Sequence, residues 1–167
     1  MKTETGSDRT SDLVYAAAYS GFVGSGSLAL FFLLRDALLG TPLLTPSILG
    51  AAILGPGIAA FEPAVRLDWV ALVSLVHVVL FMAVGGPFAI LVHRLPALRE
   101  RPLMLALGIF GTLGAGIVSL DMLLAPGLLA AIGPASVTVG NAVTAAAMTV
   151  FYQWAFADAL VGSEART

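Results

Sequence analysis

The fold of this chain is decided by residues 69–92, which read WVALVSLVHVVLFMAVGGPFAILV. The stretch contains one titratable side chain, His77, and it exceeds the roughly 20 helical residues that cross a hydrocarbon core about 30 Å thick. Three other apolar stretches have comparable length. We therefore predict an all-α integral membrane protein, a four-transmembrane-helix bundle with spans at about residues 13–35, 69–93, 103–125 and 134–158.

The composition agrees with a membrane protein. Of the 167 residues, 59% are hydrophobic and 11% are charged, whereas about a quarter are charged in a typical soluble domain. These values exclude a soluble globular domain and a disordered chain, and a net charge of −2 provides no basic surface for nucleic acid. The sequence contains no cysteine, which excludes disulfides, iron–sulfur clusters and thiolate zinc sites.

The segment 37–61 is uncharged, but three prolines interrupt it. Its one helical piece has Thr45 as a predicted N-cap, begins with Pro46 and stops before Gly55. A helix over about 46–54 is roughly 15 Å long, half of what a membrane crossing needs. We therefore predict a short helix between the first two spans, either lying at the membrane interface or packed as a half-membrane helix against the bundle.

The positive charges predict the orientation. Four spans with a cytoplasmic N-terminus place Lys2, Arg9, Arg94, Arg99, Arg101 and Arg166 inside, and only Arg35 and Arg66 outside. This distribution obeys the positive-inside rule, whereas a fifth span over 37–61 would at best divide the positive charges evenly between the two sides. We therefore predict a single domain at 13–160 without internal repeats, cytoplasmic tails at 1–12 and 161–167, and no cleavable signal peptide. An Ala-, Gly- and Leu-rich composition suggests a bacterial inner membrane.

Small residues and breakers predict how the helices meet and end. Small residues recur at helical spacing at Ala17, Gly21 and Ser25, at Gly111, Ala115 and Ser119, and at Gly140 and Thr144. Such patterns allow close helix–helix contact in lipid, within one chain or between chains. Gly85, Gly86 and Pro87 predict a kink that is either a hinge or inert geometry. Asp68 is a predicted N-cap, and the Pro126–Gly127 and Gly133–Pro134 pairs predict a tight hairpin.

His77 is the main candidate for function, because an ionisable side chain inside the hydrocarbon region is costly. In the outer half of the bundle we place a polar layer made of Ser25 or Ser27, His77, Asp121 and Asn141, with Asp121 nearer the outer surface than the others. The layer is either a binding or proton-accepting site for a quinone, a cofactor or a small solute, or a set of hydrogen bonds between helices around a neutral imidazole. Asp121 is expected to pair with His77 or Arg35, or to be protonated.

Haem and metal sites are disfavoured. His77 and His93 are separated by about 24 Å along a helix and about 160° around it, so one iron cannot bind both. The cofactor is therefore unknown, and we assign no metal site. An outer acidic surface of Asp36, Glu62 and Asp68 either binds a cation or a basic partner, or consists of caps and local ion pairs.

No motif for phosphate binding, metalloprotease, serine hydrolase or thiol redox chemistry is present in the sequence. The first hypothesis is therefore a non-enzymatic accessory or scaffold subunit, as a homo-oligomer or in a larger membrane complex, with the lipid bilayer as its surroundings. The second is a small transporter or channel that uses the polar layer and the hinge. The third is a quinone- or cofactor-binding subunit of a membrane enzyme or electron-transfer chain.

Overall fold

The computed structural model describes residues 6–55, 57 and 64–156, with side chains from Leu13 onward. Within these ranges the regular structure is entirely helical. The helices are α1 (Gly6–Leu38), α2 (Leu44–Leu54), α3 (Leu67–Arg94), α4 (Pro96–Arg99), α5 (Pro102–Leu123), α6 (Leu128–Ile132) and α7 (Pro134–Ala155). The prediction of an all-helical chain is confirmed for this part of the sequence.

Four helical segments are long and apolar enough to cross a membrane, namely Leu13–Leu38, Leu67–Arg94, Pro102–Leu123 and Pro134–Ala155. Their surfaces agree with this, since large apolar side chains such as Leu123 and Trp154 are 79% and 77% exposed. A surface of this kind is stable in lipid and costly in water. The four segments indicate a multi-pass membrane protein.

Helices α1 and α3 pack through small residues. A Cβ atom added to Gly21 would lie 2.6 Å from Met82 Cγ, and one added to Gly24 would lie 2.6 Å from Phe81 Cδ1. A Cβ atom on Gly85 would overlap the Ser20 hydroxyl. The small-residue pattern of α1 therefore serves a contact within the chain, as expected of close helix packing in lipid.

Gly85 also anchors α7. The Tyr152 hydroxyl donates a hydrogen bond to the Gly85 carbonyl at 2.7 Å, and Tyr152 is fully buried. Helix α3 is continuous from Leu67 to Arg94 with Pro87 inside it. The hinge at Gly85, Gly86 and Pro87 stays a prediction, but Gly85 has a packing role between α1 and α7 that the sequence pattern did not indicate.

Helix α1 begins at Gly6, and its apolar part of membrane-spanning length begins at Leu13, the predicted start of the first span. Two predicted N-caps are wrong in detail. Helix α2 begins at Leu44 with Leu43 as its N-cap, so Thr45 is inside the helix. Asp68 likewise follows the α3 N-cap, Arg66. The predicted end of the last span, at residues 157 and 158, lies outside the described residues.

The predicted tight hairpin between the third and fourth spans contains the short helix α6. Gly127 and Gly133 flank it with φ of 88° and 94°, a conformation that favours glycine. Long and short helices therefore alternate along the described chain, and the short helices α2 and α6 contact each other.

Candidate functional site

A pocket of about 490 Å³ lies between α1, α2 and α3. Its walls are mainly apolar and include Phe22 and Phe32 of α1, Leu49 of α2 and Val73 of α3. The volume is in the range of small-molecule sites, which are typically apolar with a few polar groups. The lining contains four polar side chains, those of Ser25, Thr45, Ser74 and His77.

The pocket opens at the side of the helices. Phe22 and Leu30, which line it, are 54% and 56% exposed, and Ser74 is also exposed. These residues belong to helices that are long and apolar enough to cross a membrane. A lateral opening of this kind is accessible to an apolar molecule dissolved in the surrounding lipid.

His77 lies in the wall formed by α3. The imidazole is half-buried, its Nδ1 lies 3.3 Å from the Val73 carbonyl oxygen, and its ring stacks on Phe81 with centroids 6.0 Å apart. Val73, Ser74 and His77 share one face of α3, because residues three and four positions apart are neighbours on a helix. The backbone contact and the stacked ring fix the position of the imidazole in the wall.

One end of the pocket is closed by a buried polar cluster. Asp36 is 1% exposed, and it accepts hydrogen bonds from the Thr45 backbone N–H at 2.6 Å and from the Thr45 hydroxyl at 2.8 Å. Arg35 donates to Asp36 Oδ1 at 3.0 Å and to the Ile132 carbonyl at 3.0 Å. The cluster joins α1 to the start of α2 and to the end of α6, and it holds Thr45 in the pocket wall.

Asp36 and Asp68 both form local ion pairs in the structure, which is the second of the two interpretations of the outer acidic surface. Asp36 is buried inside the protein and accepts three hydrogen bonds from Thr45 and Arg35, so it is not part of an exposed acidic surface. Asp68 is on the surface, where it pairs with Arg66 through hydrogen bonds of 3.1 and 2.5 Å. These hydrogen bonds raise the pKa of Arg66 above its ordinary value. Glu62 lies outside the described residues.

The proposed polar layer is only partly assembled. Ser25 and His77 both line the pocket, whereas Ser27, Asp121 and Asn141 do not. Ser27 donates to the Gly24 carbonyl of its own helix at 3.0 Å. Asp121 accepts the Leu129 backbone N–H at 2.8 Å, so it caps α6 where pairing with His77 or Arg35 was expected. Asn141 is buried on α7 at 7% exposure.

Sequence reasoning missed Ser74 and Thr45 as pocket residues. Ser74 precedes His77 by three positions, and this helical spacing was the available signal. Thr45 was interpreted as a cap, and only the folded chain places Asp36 and Thr45 side by side across the turn between α1 and α2. The sequence pattern contains no sign of that contact.

Metal binding finds no support in the described part of the chain, where no three His, Cys, Asp or Glu side chains form a group that could hold an ion. The site is therefore an apolar pocket with isolated polar groups. The sequence matches no model of a known protein family, and neither the curated proteins nor the solved structures contain a significant match to it.

Proposed function

We propose that this chain is a non-enzymatic membrane protein that binds a small apolar molecule taken from the bilayer. The observation that carries the proposal is the laterally open pocket of about 490 Å³ between α1, α2 and α3. Its apolar walls fit the body of such a molecule, and its few polar groups fit a single polar head. We further propose a bacterial inner-membrane location, which the Ala-, Gly- and Leu-rich composition favours, with both termini cytoplasmic, which the positive-inside rule favours.

Binding is favoured over catalysis by the isolation of the polar groups. A nucleophile needs a general base within hydrogen-bond reach, and the base needs a third group to orient it. Among the described residues, His77 has its hydrogen bond to Val73 of its own helix, and Ser25 and Ser74 bond to carbonyls of theirs. Binding is also favoured over transport, because Gly85, in the predicted hinge, is held between Ser20 and Tyr152.

The proposal is tested by a substitution that introduces a large side chain into the pocket. Gly26 lines it, and a Cβ atom added there would have no neighbour within 4 Å. We expect Gly26→Phe to place a ring in the pocket and to abolish binding of tritiated para-octylphenol or its methyl ether, para-octylanisole. Binding is measured in lipid nanodiscs, relative to empty nanodiscs of the same lipid.

Gly111→Phe is the matched control, since Gly111 on α5 also has open space around its Cβ position. This variant should bind the probes as the unmodified protein does. If Gly26→Phe and Gly111→Phe bind the probes equally well, the probes bind outside this pocket. Absence of binding to the unmodified protein would overturn the proposed function.

A second candidate function, association with other membrane helices, is favoured by the surface of α5. Gly111, Ala115 and Ser119 are exposed along this helix, and Cβ atoms at Gly111, Gly114 and Gly116 would meet nothing within 4 Å. Exposed small residues at this spacing allow close helix approach in lipid. The candidate is an accessory subunit or homo-oligomer, and native mass spectrometry of protein extracted gently from its own host's membranes tests it. A lone monomer would remove this candidate.

A further inference from the structure

The hydroxyl groups in the pocket wall already donate their protons in hydrogen bonds within the protein. Ser25 Oγ donates to the Phe22 carbonyl at 3.3 Å, and Ser74 Oγ donates to the Val70 carbonyl at 2.7 Å. The Thr45 hydroxyl donates to Asp36 at 2.8 Å. A hydroxyl that donates its one proton keeps lone pairs that can only accept. The hydroxyls of Ser25 and Ser74 therefore offer only acceptors to a ligand, and the Thr45 hydroxyl, which also accepts from Arg35, has no donor left either.

His77 adds a stronger acceptor. A carbonyl oxygen lies 3.3 Å from Nδ1, and because a carbonyl accepts and never donates, the proton of the ring belongs on Nδ1. In a neutral imidazole the other nitrogen, Nε2, is then an acceptor. The ring is neutral because the described pocket lining contains no carboxylate to compensate an imidazolium in an apolar site.

We propose that the ligand of this pocket is a neutral amphiphile whose head donates a hydrogen bond, a phenol or an alcohol, with its hydroxyl on Nε2 of His77. This proposal rests on the proposed binding function and narrows its ligand class. The apolar body of the molecule lies against the α1 and α2 walls, around Phe32 and Leu49.

Other head groups fit the same lining poorly. Ketones, ethers and esters only accept, so their oxygen would face acceptors and lose its partners from water. A carboxylate or phosphate needs a cation, and Arg35 is already bonded to Asp36, Thr45 and Ile132. An ammonium group would be an uncompensated charge, since no acidic side chain lines the described pocket.

The experiment compares para-octylphenol with para-octylanisole, which have the same apolar body and differ in the one donor. Both are added to protein in lipid nanodiscs at equal mole fractions in the lipid, so that different partitioning does not enter the comparison. We expect the phenol to bind about tenfold more tightly, the effect of one hydrogen bond to a buried acceptor. Equal affinities would overturn the inference and leave the pocket function standing, whereas no binding of either probe would overturn both.

His77→Phe tests the acceptor, because phenylalanine keeps a ring beside Phe81 and has no lone pair. The preference for the phenol should disappear in this variant and persist in His93→Phe, since His93 is on the same helix, beside Phe156, and outside the pocket lining. A preference that survives His77→Phe would overturn the assignment of His77 as the acceptor.

A measurement on the unmodified protein tests the same proposal and does not depend on whether His77→Phe folds. In protein with ¹⁵N-labelled histidine, the spectrum of His77 should show a protonated Nδ1 and an unprotonated Nε2, and para-octylphenol should shift the Nε2 resonance while para-octylanisole leaves it in place. A protonated Nε2, or equal shifts from both probes, would overturn the proposal.

Discussion

Asp36 and Asp121 make the same contact at two places in the fold. Each carboxylate precedes the last residue of a long helix by two positions, and each accepts the backbone N–H of the second residue of the short helix that follows. Asp36 binds Thr45 at 2.6 Å, and Asp121 binds Leu129 at 2.8 Å. Since the N-caps Leu43 and Gly127 have no side-chain acceptor, the aspartates supply the missing caps from the preceding helix.

The two caps should differ in their effect on stability. Asp36→Asn leaves the half-buried Arg35 and the buried Thr45 with a weaker acceptor, and we expect the free energy of unfolding to fall by about 2 kcal/mol. Asp121 is half-buried and accepts one bond, so Asp121→Asn should cost about 1 kcal/mol or less. Thermal and denaturant unfolding in detergent micelles measures both. A larger loss at Asp121 would contradict the assignment of the buried cluster.

Gly85 should tolerate no side chain. A methyl group there would overlap the Ser20 hydroxyl and crowd the Ala17 carbonyl, so Gly85→Ala must displace the buried Ser20 side chain or separate α1 from α3, and it should lower the free energy of unfolding by about 1–3 kcal/mol. Gly116→Ala on α5 is the control, since nothing lies within 4 Å of its Cβ position. Alanine is the better helix former, so this control should be neutral or slightly stabilising. If the two variants behave alike, Gly85 is not a packing position.

The long helices could be predicted from the sequence because length and hydropathy alone define an apolar helix. The four long apolar segments agree with the prediction. The short helices could not be placed with the same accuracy. Their ends depend on Asp36 and Asp121, which act across a turn, whereas the sequence signal for a cap is a polar residue next to the helix start.

The candidate site could be predicted only in part. His77 was identified because an intramembrane histidine is rare, and Ser25 because it lies at a similar depth. Depth along a helix does not fix the direction that a side chain faces, however. Asp121 and Asn141 belong to the predicted polar layer but lie outside the lining of the pocket. The pocket also depends on α2, whose packing of Gly50 against Trp69 has no signature in the sequence.

Tyr152→Phe should destabilise the contact between α7 and α3. The substitution keeps the buried ring and removes the Tyr152 hydroxyl, which donates a hydrogen bond to the Gly85 carbonyl. We expect a loss of about 1 kcal/mol in the free energy of unfolding. Tyr19→Phe is the control, because Tyr19 is 58% exposed and should contribute little. An effect at Tyr19 as large as at Tyr152 would show that the assay does not report this hydrogen bond.

Thr144→Val should leave the protein as stable as before or make it more stable. In the described chain, the Thr144 hydroxyl is fully buried and has no hydrogen-bond partner, so it bears the cost of desolvation without compensation. Valine has nearly the same shape and no polar atom, and the expected gain is about 1 kcal/mol. Thr45→Val provides the contrast, because the Thr45 hydroxyl is also buried but donates to Asp36. Its loss should destabilise the protein by about 1–2 kcal/mol in the same unfolding experiment, so the two threonine variants should move in opposite directions. A large loss at Thr144 would mean that its hydroxyl has a partner, such as a bound water molecule, and would make α7 a further place to look for polar contacts.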